Sequence, residues 1–245
     1  MVEEVEGIVI SEKAYGETSK IINVFTKEYG IIGMMVKGCR TLKSPLRSVT
    51  DKLSYGKFTI YYKKDKLSIL SEVNILNPFK EIKKDIAKLS YASFLLDLSE
   101  QVVKQTSLST AIYGLLIESL IKINEKFDPL VIMNIIELKY LDYLGVLPVL
   151  DSCSVCFKKT DIVTLSSDKG GYLCSRCRTN EPIISKKAIK LIRMYYYVDI
   201  SKIEKLEVSE EVKREINEFL DRYYDRYTGL YLKSKSFMKE LAKFS

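Results

Sequence analysis

The chain has 245 residues, 47% hydrophobic and 29% charged, the balance of a folded protein with room for one or two cores and no long disordered tail. It contains no histidine, which removes the commonest general base, every Ser-His or Cys-His nucleophile pair and all imidazole metal ligands. The formal net charge is +7, and its placement is uneven: between Gly33 and Lys66 nine cations (Lys37, Arg40, Lys43, Arg47, Lys52, Lys57, Lys63, Lys64, Lys66) face two anions (Asp51, Asp65), a surplus equal to that of the whole chain and suited to a polyanion.

In chain order, Glu6–Ile10, Lys20–Phe25 and Ile31–Val36 are short β-prone runs separated by turns at Gly16 and Gly30. After a polar connection at 40–51, Leu53–Tyr62 and Leu67–Leu76 add two more. Five strands in about 75 residues predict a small barrel or half a sandwich. In the fourth strand Phe58, Ile60 and Tyr62 share one face, and Lys57, Thr59, Tyr61 and Lys63 share the other. A face of cations with a tyrosine suits a single nucleic-acid strand, with a base stacked on Tyr61, and equally suits an ordinary outward face.

The pattern changes at Asn77-Pro78, which supply an N-cap and a proline at the first helical position; Ile82, Ile86, Leu89, Leu96 and Val103 then recur at helical spacing. This is the expected domain boundary, with a barrel at 1–77 and a helical domain at 78–245. A second helix is predicted over Ser109–Lys126 and a third from Asp128-Pro129 to about Gly145. Further on, Ala188–Val198 and Glu210–Tyr227 read as helices, the latter with Val212, Ile216, Phe219, Tyr223 and Tyr227 on one stripe. The helices on either side of residues 150–180 are expected to pack together, and Tyr195-Tyr196-Tyr197 to supply core and rim.

Between those helices lie Cys153-Ser-Val-Cys156 and Cys174-Ser-Arg-Cys177, separated by seventeen residues, a spacing that points to a zinc site with Cys153, Cys156, Cys174 and Cys177 as ligands. Each CxxC turn aims two sulfurs at one point, and a hairpin of Val163–Leu165 and Tyr172-Leu173 around Asp168–Gly171 brings the pairs together. Four thiolates leave no coordination position for water, so the metal is expected to be structural and not catalytic. Lys158, Lys159, Lys169, Arg176 and Arg178 are placed to offset the negative charge of such a site, and the fifth cysteine, Cys39, reads as a small buried hydrophobe. No thioredoxin-like βαβ context favours a redox pair, no phosphate loop or GxGxxG turn favours a nucleotide cofactor, and a closed thiolate shell without an HxE motif argues against a zinc deaminase. An acidic start at Met1–Glu6 without an apolar leader, and apolar runs broken by charge, lead us to expect a cytoplasmic protein.

With these elements in view the chain resembles the RecO family of bacterial recombination mediators. The resemblance is carried by Gly7-Ile-Val-Ile10, Tyr15-Gly-Glu17 with Ser19, Phe25-Thr26, Gly30, Lys37-Gly38 with Arg40, Ser44 and Leu46, and Gly170-Gly171 ahead of Cys174, and it spans nearly the whole chain. It implies an α+β architecture: an N-terminal five-stranded oligonucleotide/oligosaccharide-binding barrel, then an α-helical domain with an inserted four-cysteine zinc finger. It also implies a DNA repair and recombination function without enzymatic chemistry. Such proteins bind single- and double-stranded DNA, anneal complementary strands without ATP, and work with RecR and the C-terminal tail of single-stranded DNA-binding protein to load RecA. A bacterial cytoplasmic location, at the nucleoid during repair, would follow. Lys37, Arg40, Lys43 and Arg47 are then the expected backbone contacts, with Lys57, Tyr61 and Lys63 on the fourth strand and its turn. Thr41 departs from the pattern, since the family usually carries a second basic residue there. The alternative reading is a zinc-containing protein-protein adaptor with only weak nucleic-acid binding.

Overall fold

The structure is a computed structural model that describes residues 1–107 and 109–230 together with 232, 234, 235 and 238. Contacts divide the chain into two compact units, Met1–Asn124 with Ser234–Ser245, and Glu125–Lys233.

The first unit is built on a closed five-stranded barrel: β1 (Val2–Tyr15), β2 (Ser19–Thr26), β3 (Gly30–Val36), β4 (Tyr55–Tyr61) and β5 (Ser68–Asn77), in the order β1-β2-β3-β5-β4. All neighbours are antiparallel except β3 and β5, which meet in parallel through Met34 with Ser68 and Met35 with Ile69. β1 is much longer than the apolar run Glu6–Ile10 suggests, because it is paired on both edges. Val2–Ile8 face β4, while Gly7–Tyr15 face β2, with the register shifting between Val9 and Ser11. The barrel interior holds Val5, Val9, Ile22, Val24, Met34, Val36, Phe58, Ile60 and Leu70, which alternate along their strands as a two-residue period requires. The opposite face of β1 and β2 is buried as well: Ile8, Ile10 and Phe25 are sealed from solvent, and Phe25 meets Tyr113 edge to face at 5.4 Å.

One continuous helix opened by Asn77 and Pro78 was the expectation, and the structure corrects it. The Asn77 side chain accepts from the Phe79 amide, Phe79 turns left-handed, and a single turn follows as α1 (Lys80–Lys83). The chain restarts at Asp85, whose carboxylate accepts from the amides of Ala87 and Lys88 and so caps α2 (Ile86–Val103). Asn124, the last residue of α3 (Ser109–Asn124), reaches back to the amides of Glu81 and Ile82 and satisfies the free donors of the short turn.

The second unit contains α4 (Pro129–Tyr143), capped by Asp128, the hairpin β6 (Ile162–Ser166) and β7 (Gly171–Cys174), then α5 (Lys186–Tyr197) and α6 (Glu210–Tyr227). The helices before and after the hairpin do pack together: Lys139 donates to the carbonyl of Tyr196 at 2.8 Å, Tyr224 to that of Glu137 at 2.7 Å, and the buried Lys213 ammonium sits 2.6 Å from Asp128 and also pairs with Glu210. Tyr195 is wholly buried and Tyr197 largely exposed, so the tyrosine run supplies both core and rim. Among the described residues no helix is long and apolar enough to cross a membrane.

Candidate nucleic-acid interface and metal centre

The metal centre begins as two tight turns. In the first, the Phe157 amide donates to the Cys153 carbonyl at 2.9 Å; in the second, the amides of Cys177 and Arg178 donate to the Cys174 carbonyl at 3.1 and 3.0 Å. The hairpin register places Cys174 opposite Ile162, and the Ser154 amide donates to the Tyr172 carbonyl, so the first turn is seated directly on β7. All four sulfurs then lie within 4.8 Å of one another, with Cys156 Sγ and Cys174 Sγ 3.7 Å apart. Four sulfurs placed about 2.3 Å from one central ion stand roughly 3.8 Å from each other, so the spacing fits a tetrahedral thiolate shell.

The electrostatics fit as well. Burial alone would push the Cys153 thiol up, but the backbone amides of Cys156, Cys174 and Val155 converge on its sulfur and bring it down to about 6. Cys177, held by its hydrogen bond with Cys156, is pushed up to about 12.

A strap anchors the hairpin to the chain leaving α4. Val149 bridges in parallel to Gly171: the Val149 amide donates to the Gly170 carbonyl and the Tyr172 amide to the Val149 carbonyl, both at 2.9 Å. Gly171, at φ +148°, allows this approach; a Cβ there would sit 2.3 Å from the Val149 carbonyl oxygen. Of the cations expected to offset the cysteine charge, Lys169 pairs with Glu181 at 3.0 Å and donates to the Cys177 carbonyl, and Arg178 donates to the Glu181 carbonyl. Burial would raise the Glu181 carboxyl, but hydrogen bonds from the Thr179 amide, its own amide and Lys169 hold it down at about 2.

On the barrel, the connection between β3 and β4 carries Lys37, Arg40, Lys43 and Arg47, all exposed. It is fastened to the β1–β2 turn by the Arg40 amide on the Thr18 carbonyl at 2.8 Å, the Arg40 guanidinium on the Gly16 carbonyl at 3.0 Å and the Gly38 amide on Ser19. Lys37, Lys43 and Arg47 have no ion-pair partner among the described residues. Arg40 and Arg47 come together at a cleft of about 390 Å³ that also holds Glu12, Lys20 and Asp51. Lys57, Tyr61 and Lys63 lie elsewhere, on β4 and the turn after it. Tyr61 and Lys63 are exposed there, whereas Lys57 is engaged by Glu4 at 2.9 Å.

Lys20 is a further cation at this cleft, one that a count of the 33–66 segment misses. It is buried and bridges Glu12 on β1, at 2.5 Å, and Asp51 in the connection, at 2.8 Å. Burial would lower the pKa of its ammonium; the hydrogen bonds to Asp51 and Glu12 outweigh it and leave the pKa raised. Its signal in the sequence is phase, because Lys20 falls in step with the inward-facing Ile22 and Val24.

A closed barrel in this strand order, followed by helices that carry a four-cysteine centre, defines an oligonucleotide/oligosaccharide-binding barrel protein with a metal-type knuckle. Family models agree over both parts: residues 1–79 match the N-terminal domain of recombination protein O, and residues 83–236 match its C-terminal domain. The protein named DNA repair protein RecO in Bacillus cytotoxicus is 35% identical over 247 residues, covering 100% of this chain and 99% of that one, and a Bacillus cereus protein of the same name is 34% identical with the same coverage. The chain belongs to the RecO family, whose role is in DNA repair and recombination.

Proposed function

We propose that this protein is a recombination mediator that binds single- and double-stranded DNA and anneals complementary strands without ATP, with Lys37, Arg40, Lys43 and Arg47 as the principal phosphate contacts and Tyr61 and Lys63 as further ones. The observation that carries the reading is the β3–β4 connection, a short segment fastened to the barrel whose Lys37, Lys43 and Arg47 have no ion-pair partner among the described residues. Pairing two anionic strands requires their repulsion to be screened, and cations held on a rigid barrel do so while releasing counterions. Such contacts position a strand without reading its sequence. Lys57 contributes only by exchanging Glu4 for a phosphate.

The cysteine centre, in this reading, holds Zn²⁺ through Cys153, Cys156, Cys174 and Cys177, and the ion's part is to fix the knuckle. Family membership supports RecR, the tail of single-stranded DNA-binding protein and, through them, RecA as partners, and it supports a mediator rather than a catalyst. The test is annealing of two complementary oligonucleotides without ATP across a salt titration. Annealing should be rapid and suppressed by salt. Replacing Lys37, Arg40, Lys43 and Arg47 together by alanine should abolish it and reduce the salt slope of single-strand binding by up to about 3, at ~0.7 per lost contact. A quadruple variant that anneals like the parent would remove the barrel from the mechanism.

A further inference from the structure

The cysteine knuckle carries an aromatic side chain that its metal geometry does not require. Phe157 follows the first CxxC turn with φ +59°, in the left-handed region that L side chains avoid and glycine enters freely. The second turn makes the equivalent hydrogen bond, from the Arg178 amide to the Cys174 carbonyl, and Arg178 is not left-handed. The strain is therefore not a general demand of such turns, and packing does not offset it: Phe157 is 73% exposed and its ring has no aromatic or cationic partner among the described residues. A strained, exposed aromatic on a rigid turn is the kind of outlier that marks function.

Its surroundings indicate the ligand. Val155, on the same turn, is 51% exposed. Lys159 and Arg176, which stand close to Cys156 and Cys177 in sequence, are exposed and make no ion pair among the described residues. The neighbouring acid, Asp161, is occupied by Ser175 and by Lys158 at 3.8 Å and does not engage Lys159 or Arg176, whose heads stay at the surface. A ring this exposed forms no pocket for an inserted side chain, but a planar base needs only a face, and its flanking phosphates need cations.

We propose that the tip of the first cysteine turn is a second contact for single-stranded nucleic acid, with one base stacked on Phe157 and its phosphates met by Lys159 and Arg176. The inference rests on the DNA-binding reading above but uses none of its residues. It would give the protein one strand contact in each compact unit, as a factor that pairs two strands needs.

Phe157→Gly provides the test, because it removes the ring and relieves the backbone strain at once. With zinc-loaded full-length protein and an oligothymidine carrying one 2-aminopurine, the variant should retain its metal, melt at or above the parent temperature, and bind the single strand roughly 5- to 150-fold more weakly, the contribution of one stacked base. Duplex binding should change less than about twofold, since paired bases offer no free face. Phe157→Tyr should restore binding, and Lys159→Ala with Arg176→Ala should weaken it and flatten its salt dependence. Unchanged single-strand affinity in Phe157→Gly, while the parent binds DNA, would overturn this inference and leave the barrel reading intact. Loss of binding only to an acidic aromatic peptide would overturn it in favour of a protein partner. A parent chain that bound no DNA would bring down the barrel reading and, with it, this one.

Discussion

Replacing Gly171 by alanine adds one methyl group, yet it should disable the metal centre. The new Cβ would lie 2.3 Å from the carbonyl oxygen and 2.6 Å from the amide nitrogen of Val149, and both atoms are backbone, so neither can rotate away. The strap and the hairpin must separate, losing the two hydrogen bonds of the Val149 bridge at about 0.5–1.5 kcal/mol each. The φ of +148° adds backbone strain on the order of 1–3 kcal/mol for a residue with a side chain. The total, about 2–6 kcal/mol, corresponds to a melting temperature roughly 5–20 °C lower for a chain of this size. The Tyr172 carbonyl that seats the first cysteine turn moves with the hairpin, so metal retention against a chelator should fall in parallel. Gly114→Ala is the control: it lies inside α3 with nothing within 4 Å of a built Cβ, and should stabilise by about 0.5–1 kcal/mol. Thermal unfolding by circular dichroism with a chelator titration decides the matter. A Gly171→Ala protein that melts within about 2 °C of the parent and keeps its metal would refute the claim that this close approach seats the cysteines.

Cys153→Ser should lose stoichiometric zinc by metal analysis and unfold at lower temperature, whereas a variant with unchanged stability and no metal would show the centre to be dispensable for folding. Lys20→Met removes two charged hydrogen bonds, at about 1.5–3 kcal/mol each when buried, and should cost about 1.5–3 kcal/mol in total in denaturant unfolding because Glu12 and Asp51 are partly exposed. It should also weaken DNA binding by leaving two carboxylates beside Arg40 and Arg47, and adding Glu12→Gln and Asp51→Asn should restore that binding; failure to restore it would mean that Lys20 acts by fastening the connection and not by neutralising it. Glu181 has a folded-state pKa of about 2, held well below the ordinary carboxyl value of 4.5, so its stabilisation is complete above the ordinary carboxyl range and disappears as pH falls towards 2. Parent and Glu181→Gln proteins should therefore differ in stability at neutral pH and converge in acid; a constant gap across that window would contradict the assignment.

The cysteine centre was legible because its information is local: two CxxC turns and the interval between them are enough to specify a shell. β4 was legible because a barrel wall imposes a strict alternation, with Phe58 and Ile60 inward and Lys57 and Tyr61 outward. What could not be read depends on partners distant in sequence. β1 extends through polar residues such as Glu3, Glu12 and Lys13 because strands on both sides hold its backbone, and nothing in its own composition announces that. Lys57 and Lys52 look free in the sequence until Glu4 and Asp97, 53 and 45 residues away, are brought beside them. The interruption between α1 and α2 is hidden because Ile82, Ile86 and Leu89 keep helical spacing across it, and only the cap at Asp85 marks the restart. Gly170-Gly171 reads as a turn, whereas the second glycine also serves the strap.

The double pairing of β1 bears on how the chain emerges during synthesis. The β1–β2–β3 meander can form as soon as Val36 has appeared, but β1 then waits for β4 along one edge and β3 waits for β5. The roughly forty residues from Val36 to Asn77 take about 2–8 s to synthesise at ~5–20 residues per second. During that interval the nascent meander presents two unpaired edges. Glu3, Glu4 and Glu6, placed on the edge of β1 that β4 will later cover, keep that edge charged, so the acidic beginning of β1 guards it against pairing with another chain before its own partner strand arrives.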